Sequence, residues 1–152
     1  VYKRQTMALP EQDRYLYTQD KFEDEIAGML AGRAAEELVF TEKYTGANDD
    51  LEKATKMARR MVTVYGMSEK LGPLTFGDRD ELVFLGREIA EQRNYGEEVA
   101  EEIDSEVRRI IQEGYDRAVN ILTTYRQKLD SLAERLIEVE TLDREEFDLL
   151  MA

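Results

Sequence analysis

The sequence predicts a mainly α-helical fold, a helical bundle with a long helical hairpin, and three observations carry that reading. Apolar residues recur every three to four positions through most of the chain, the period of a helix with one buried face. Charged residues make up 36% of the chain and are rich in Glu, Lys and Arg, the composition of exposed helix surface. Two prolines, nine glycines and no tryptophan are a poor match to a turn-rich all-β fold. A length of 152 residues suits one domain, which buries roughly two-thirds of the surface of its unfolded chain.

Taken in order, "VYKRQTMALP" reads as a short extended segment ending at Pro10. The first helix starts after Thr18, a residue suited to the N-cap. Its stripe is Phe22, Ile26, Met29, Leu30, Ala34 and Leu38, and Gly28, Gly32 and Ala35 add a small-residue face on which another helix is expected to pack closely. The second helix begins near Asn48–Asp50, carries Leu51, Ala54, Ala58, Met61, Val62 and Tyr65 on one side, and ends at Gly66 in a left-handed cap. Residues 66–95 form a connecting region, in which "LVFLG" is expected to make a short strand or a buried turn.

From Tyr95 onward Val99, Ile103, Val107, Ile110, Gly114, Ala118, Ile121, Tyr125, Leu129, Leu132 and Leu136 keep a mean spacing of about 3.7. That is nearer a straight helix than a left-handed coiled coil, so one long helix or two nearly collinear ones are expected, with a break near Thr123–Thr124. A short last helix after Thr141 is expected to bury Phe147 and Leu150.

Charge and composition exclude several kinds of function. The net charge is −13 and the basic residues are dispersed among acids, so a phosphate backbone is repelled and no nucleic-acid partner is expected. No stretch approaches the eighteen or so apolar residues of a membrane span. With no cysteine and no histidine, the chain forms no disulfide, no Ser–His triad and no histidine metal site of its own.

The most informative short run is "TGANDDLEKAT", residues 45–55, which sets Asp49 and Asp50 in the opening turn of a helix. Asp49 or Asn48 suits an N-cap, Glu52 stands where a capping-box partner stands, and both aspartates gain from the helix dipole. The rival role is metal ligation, for which one carboxylate is insufficient, since zinc takes about four donors. Glu36 and Glu37 in "GRAAEEL" are equally open, as a solvated helix face or as support for a metal ligand.

Five segments in order resemble blocks of the peptidase domain of the FtsH family: "LPEQDRYLYT" (9–18), "GRAAEELVF" (32–40), "TGANDDLEKAT" (45–55), "MARRMVTVYGMSEKLGPL" (57–74) and "FLGREIAEQRNYGEEVAEEID" (84–104). The resemblance runs from about Thr6 to the end of the chain. It implies an all-α fold matching the C-terminal part of that peptidase domain, over residues 6–152. Residues 1–5, "VYKRQ", depart from the family pattern and look foreign or unstructured.

What the resemblance implies about function is specific. Members of that family are membrane-anchored, hexameric, ATP-dependent zinc metalloproteases that degrade unfolded and membrane proteins. Two zinc-binding histidines and a general-base glutamate come from an HExxH helix upstream of the point where this chain begins. The third zinc ligand is the aspartate of "TGAxNDL", here Asp50, and Asp49 replaces the usual asparagine beside it. Glu36 is implied to accept a hydrogen bond from a ligating imidazole. Thr6 and Met7 fit the end of the edge strand that pairs with extended substrate.

The expectations that follow are a fragment carrying one zinc ligand, inert alone, from a parent that uses zinc and ATP and forms a homo-hexamer around protein substrates. That parent would sit on the cytoplasmic side of the bacterial inner membrane or an equivalent organellar membrane, and the fragment itself would be soluble. The alternative is a non-catalytic helical scaffold, a pseudoprotease subunit of a hexameric ring.

Overall fold

Thr18 starts the first helix as its side chain predicts: the residue is extended, with φ −84° and ψ 162°, and its Oγ1 accepts from the Lys21 N–H at 3.3 Å. The computed structural model describes residues 16–41, 45–77 and 95–151. Helix α1 spans Gln19–Phe40, a short 3-10 turn spans Thr45–Ala47, and α2 spans Asn48–Thr63. Helix α3 covers Glu97–Thr124, α4 covers Arg126–Val139 and α5 covers Arg144–Met151. No strand occurs among the described residues, so the fold is all-α as the apolar periodicity predicts.

The core is a three-helix junction. Ile26 and Leu30 of α1, Ala54, Ala58, Met61 and Val62 of α2, and Ile103, Val107 and Ile110 of α3 form one buried cluster. Phe22, Met29, Met57, Phe76 and Tyr95 pack around it. The predicted stripes of the first two helices supply these residues almost unchanged.

The glycine at which two helices come close lies elsewhere than the sequence suggests. Gly28 and Gly32 face solvent, and a Cβ built on either meets nothing within 4 Å. The close approach is at Gly114 of α3, where a Cβ would stand 2.8 Å from Ile26 Cγ2 and 3.4 Å from Leu30 Cδ1. A glycine inside a helix costs about 1 kcal/mol relative to alanine, and here it lets α1 and α3 come together.

Helix α2 ends as expected. Its regular part stops at Thr63, the chain passes through Val64 and Tyr65, and Gly66 takes the left-handed conformation at φ 60°. The Met67 N–H then returns to the Met61 carbonyl at 2.9 Å.

The loop that follows is tied to α3 by a buried polar group. Ser68 and Glu106 are both nearly inaccessible, and Ser68 Oγ donates to Glu106 Oε2 at 2.6 Å. The Leu71 N–H donates to Ser68 Oγ at 3.2 Å, and Arg109 reaches both carboxylate oxygens of Glu106 at 3.1 and 3.2 Å. Hydrogen bonding to Arg109 holds the Glu106 carboxyl below its usual range, against the opposing effect of burial.

The later elements depart from expectation. The break after α3 falls at Tyr125, one residue past the predicted position, and α4 begins at Arg126. The apolar stripe is buried as far as Ala118, but Ile121 is 47% exposed and Tyr125 56% exposed. Phe147 is 41% exposed rather than buried, and Leu150 is half-buried. Among the described residues α4 packs mainly against the eight-residue α5, too little surface to cover that stripe. The "LVFLG" segment and the N-terminal extended segment lie outside the described residues.

Two measurements check this packing. Gly114→Ala should destabilise the chain by about 1–2 kcal/mol, because overpacking against Ile26 outweighs the gain in helix propensity. Gly28→Ala and Gly32→Ala, in open space, should each stabilise it by about 0.5–1 kcal/mol, all read by urea unfolding. Ser68→Ala should cost about 1–3 kcal/mol by removing the shorter of the two hydrogen bonds to the buried Glu106 Oε2. Because the native pKa of Glu106 is lowered, its contribution is present above the ordinary glutamate range and is lost as pH falls through the lowered value. Glu106→Gln should therefore flatten the acid limb of a stability-against-pH curve.

Candidate functional site

The last two turns of α1 and the start of α2 bring the sequence-predicted residues to one region. Arg33, Glu36 and Glu37 occupy the end of α1, and Thr41 stops the helix in a left-handed conformation at φ 57°. The Thr41 N–H still donates to the Glu37 carbonyl at 3.1 Å. After residues 42–44 the 3-10 turn Thr45–Ala47 leads straight into α2, with Asp49 and Asp50 in its first turn.

The cap position of α2 belongs to Ala47, whose side chain has nothing to offer the first N–H groups. This corrects the capping-box reading: Glu52 pairs with Lys56 one turn on instead of reaching back. That pairing also lowers the Glu52 pKa, chiefly through the Lys56 hydrogen bond. Asp49 and Asp50 are exposed, and neither makes a side-chain hydrogen bond or ion pair among the described residues. Both remain favoured by the positive end of α2.

Glu36 is differently placed. A Cβ on Gly46 of the turn would sit 3.9 Å from Glu36 Oε1, so the carboxylate lies against the segment that delivers Asp50. Its Oε2 is buried and has no hydrogen-bond partner among the described residues. The ion-paired Arg33 Nη1 stands 4.0 Å from that oxygen, outside hydrogen-bond range. A buried carboxylate oxygen without a donor costs about 1–3 kcal/mol or more, which makes it a vacancy for an N–H group.

Its neighbour Glu37 is satisfied on both oxygens. Arg33 Nε contacts Oε1 at 2.9 Å, and Tyr115 Oη of α3 donates to Oε2 at 3.0 Å. Burial, reinforced by this hydrogen bond, pushes the Tyr115 phenol above its usual pKa, so it remains a donor. Tyr115 is absent from the sequence-based reading. Nothing in local spacing marks a partner 78 residues from Glu37.

A groove of about 300 Å³ runs between α1 and α2. Phe22, Met29, Met57 and Tyr65 make its apolar walls, and Lys53, Lys56 and Arg60 line its rim. Lys53, Met57 and Arg60 follow Asp50 at helical spacings of three, seven and ten, so the groove continues the face of α2 that carries Asp50.

Among the described residues, no three His, Cys, Asp or Glu side chains come together to hold a metal. Asp50 is an exposed carboxylate at the start of α2, and Glu36 Oε2 is a buried acceptor at the end of α1. The sequence holds no histidine and no cysteine, the usual partners of a carboxylate in a zinc site. Thr6 and Met7, the expected substrate-pairing residues, lie outside the described residues. No helix among the described residues is long and apolar enough to cross a membrane.

Several known proteins are similar to this chain over nearly its whole length. An ATP-dependent zinc metalloprotease FtsH 1 of Thermomicrobium roseum is 57% identical over 145 residues, covering 95% of this chain and 22% of its own length. The ATP-dependent zinc metalloprotease FtsH of Pseudothermotoga lettingae is 56% identical over 141 residues, with 93% and 22% covered. That of Bacillus subtilis is 51% identical over 144 residues, with 94% and 23% covered. The chain thus spans between a fifth and a quarter of the length of these curated relatives. Since the sequence profile of peptidase family M41 matches residues 4–150, nearly the whole length, the chain belongs to that family.

Proposed function

We propose that this chain is part of an ATP-dependent zinc metalloendopeptidase, in which Asp50 supplies one zinc ligand and Glu36 holds a ligating imidazole. The observation that carries the reading is the buried, unpartnered Oε2 of Glu36 beside the turn that presents Asp50. It is supported by relatives that are named as ATP-dependent zinc metalloproteases. Asp50 gives the metal an oxygen fixed on a helix start, and Asp49 adds a second negative charge beside it. Glu36 orients an imidazole and raises its basicity by accepting the N–H opposite the metal. The chemistry that zinc supplies when bound is Lewis-acid activation of water and of a peptide carbonyl.

The rest of the reading concerns the whole protein. Thr6 and Met7 take part in binding an extended protein substrate. The open groove along the Asp50 face of α2 takes an apolar helix that brings the missing donors. The parent is a membrane-anchored homo-hexamer that spends ATP to unfold its substrates, with its peptidase on the cytoplasmic side of the bacterial inner membrane or an equivalent organellar membrane. This chain alone is inactive.

Two tests decide the reading. The isolated chain should bind zinc weakly or not at all by calorimetry, because a lone carboxylate does not replace imidazole donors; stoichiometric submicromolar binding would overturn it. The second test exchanges this chain for the matching segment of the full-length Bacillus subtilis relative. There Asp50→Asn should lose zinc by more than the ~10–100-fold that removing a supporting partner costs. Proteolysis should disappear with the metal, while ATP hydrolysis persists and Asp49→Asn retains activity. Normal zinc content by atomic absorption, with intact proteolysis in Asp50→Asn, would sink the assignment.

A further inference from the structure

The end of α1 sets one guanidinium between two carboxylates. Arg33 has Glu36 three residues ahead and Glu37 four residues ahead, both reachable positions on a helix surface. It contacts Glu37 at 2.9 Å and stays 4.0 Å from Glu36. Helix spacing alone does not decide between the two. The difference comes from α3, where Tyr115 donates to the second oxygen of Glu37 and fixes that carboxylate in place for Arg33. The close approach of α1 and α3 at the neighbouring Gly114 is what brings the phenol within reach.

We propose that Tyr115 is a positioning residue for the metal site, keeping Arg33 on Glu37 so that Glu36 Oε2 stays an unclaimed acceptor for a zinc-bound imidazole. This rests on the reading of Glu36 given above. Without the phenol hydroxyl, Glu37 loses the donor that α3 supplies to its second oxygen, and its carboxylate can turn. Arg33, only 16% exposed at its side chain, then closes the gap to Glu36 and draws its negative charge away from the imidazole. Tyr115 thereby acts on the metal through two intervening side chains and touches neither metal nor substrate.

The experiment uses the full-length, zinc-loaded exchange protein and follows zinc transfer to a chromophoric chelator, with thermal melting as the control for folding. Glu36→Gln should speed zinc loss by about 10–100-fold, and Tyr115→Phe should speed it several-fold with little change in melting temperature. Adding Arg33→Gln to Tyr115→Phe should restore slow zinc loss, because no guanidinium remains to capture Glu36. Adding Tyr115→Phe to Glu36→Gln should change nothing further. A purely structural tyrosine predicts otherwise: Arg33→Gln would deepen the defect and the effects would add.

Slow zinc loss in Tyr115→Phe alongside fast loss in Glu36→Gln overturns the role of Tyr115 and leaves Glu36 standing. Slow loss in Glu36→Gln overturns the Glu36 reading itself, and this inference with it.

Discussion

The contact between α1 and α3 at Gly114 is the constraint on which the rest depends. Ile26 and Leu30 press against a residue with no side chain, so the two helices meet more closely than any larger residue permits. Interiors are packed to crystal-like density, and a methyl group placed there would have to displace a β-branched side chain with few alternative rotamers. On one flank of that contact Ile110, Val107 and Ile103 join α2 to complete the core. On the other, Tyr115 reaches the Glu37 carboxylate near the end of α1. Packing and polar organisation therefore share one geometric origin.

Charge is handled in two ways. Most ion pairs lie within single helices on the surface, such as Arg126–Asp130 and Arg144–Asp148, and exposed pairs of this kind contribute at most about 1 kcal/mol each. Bridges between helices, among them Arg59–Asp104 at 2.8 Å, Arg117–Asp24 at 2.7 Å and Arg135–Glu146 at 3.5 Å, are also about half exposed. The Ser68–Glu106–Arg109 group is of another kind. There a charge is taken out of water and matched by donors on both oxygens, which fixes the loop after α2 to one position on α3.

Much of the fold is legible in the sequence because helices announce themselves locally. Thr18 and the stripes of α1 and α2 place two helices and their buried residues, and the stripe of α3 is right as far as Ala118. What periodicity omits is the identity of the covering partner. Gly28 and Gly32 allow close packing, yet no helix crosses there, while Gly114 sits unremarked within an apolar stripe. Ile121, Tyr125 and Phe147 continue a pattern that no large element among the described residues covers. At the site, family resemblance picks out Asp50 and Glu36 by position. Glu106 was visible in principle as an acid on the buried face of α3. Tyr115 was not, since its meaning comes from a residue on another helix.

The thin covering of α4 and α5 bears on how the chain moves. Neither helix contains a buried residue, and α4 touches α3 only near their junction at Tyr125. Opening free energies follow buried apolar area, so these two helices belong to the low-stability end of the molecule, while α1, α2 and α3 open only with the whole. The Lys128 ammonium bonded to the Met151 carbonyl ties the two together at the surface and adds little to that area. Backbone amides of α4 and α5 therefore exchange with solvent through local excursions that leave Gly114, Tyr115 and the carboxylates of α1 in place. The chain is a rigid three-helix platform carrying a more readily unfolding helical arm.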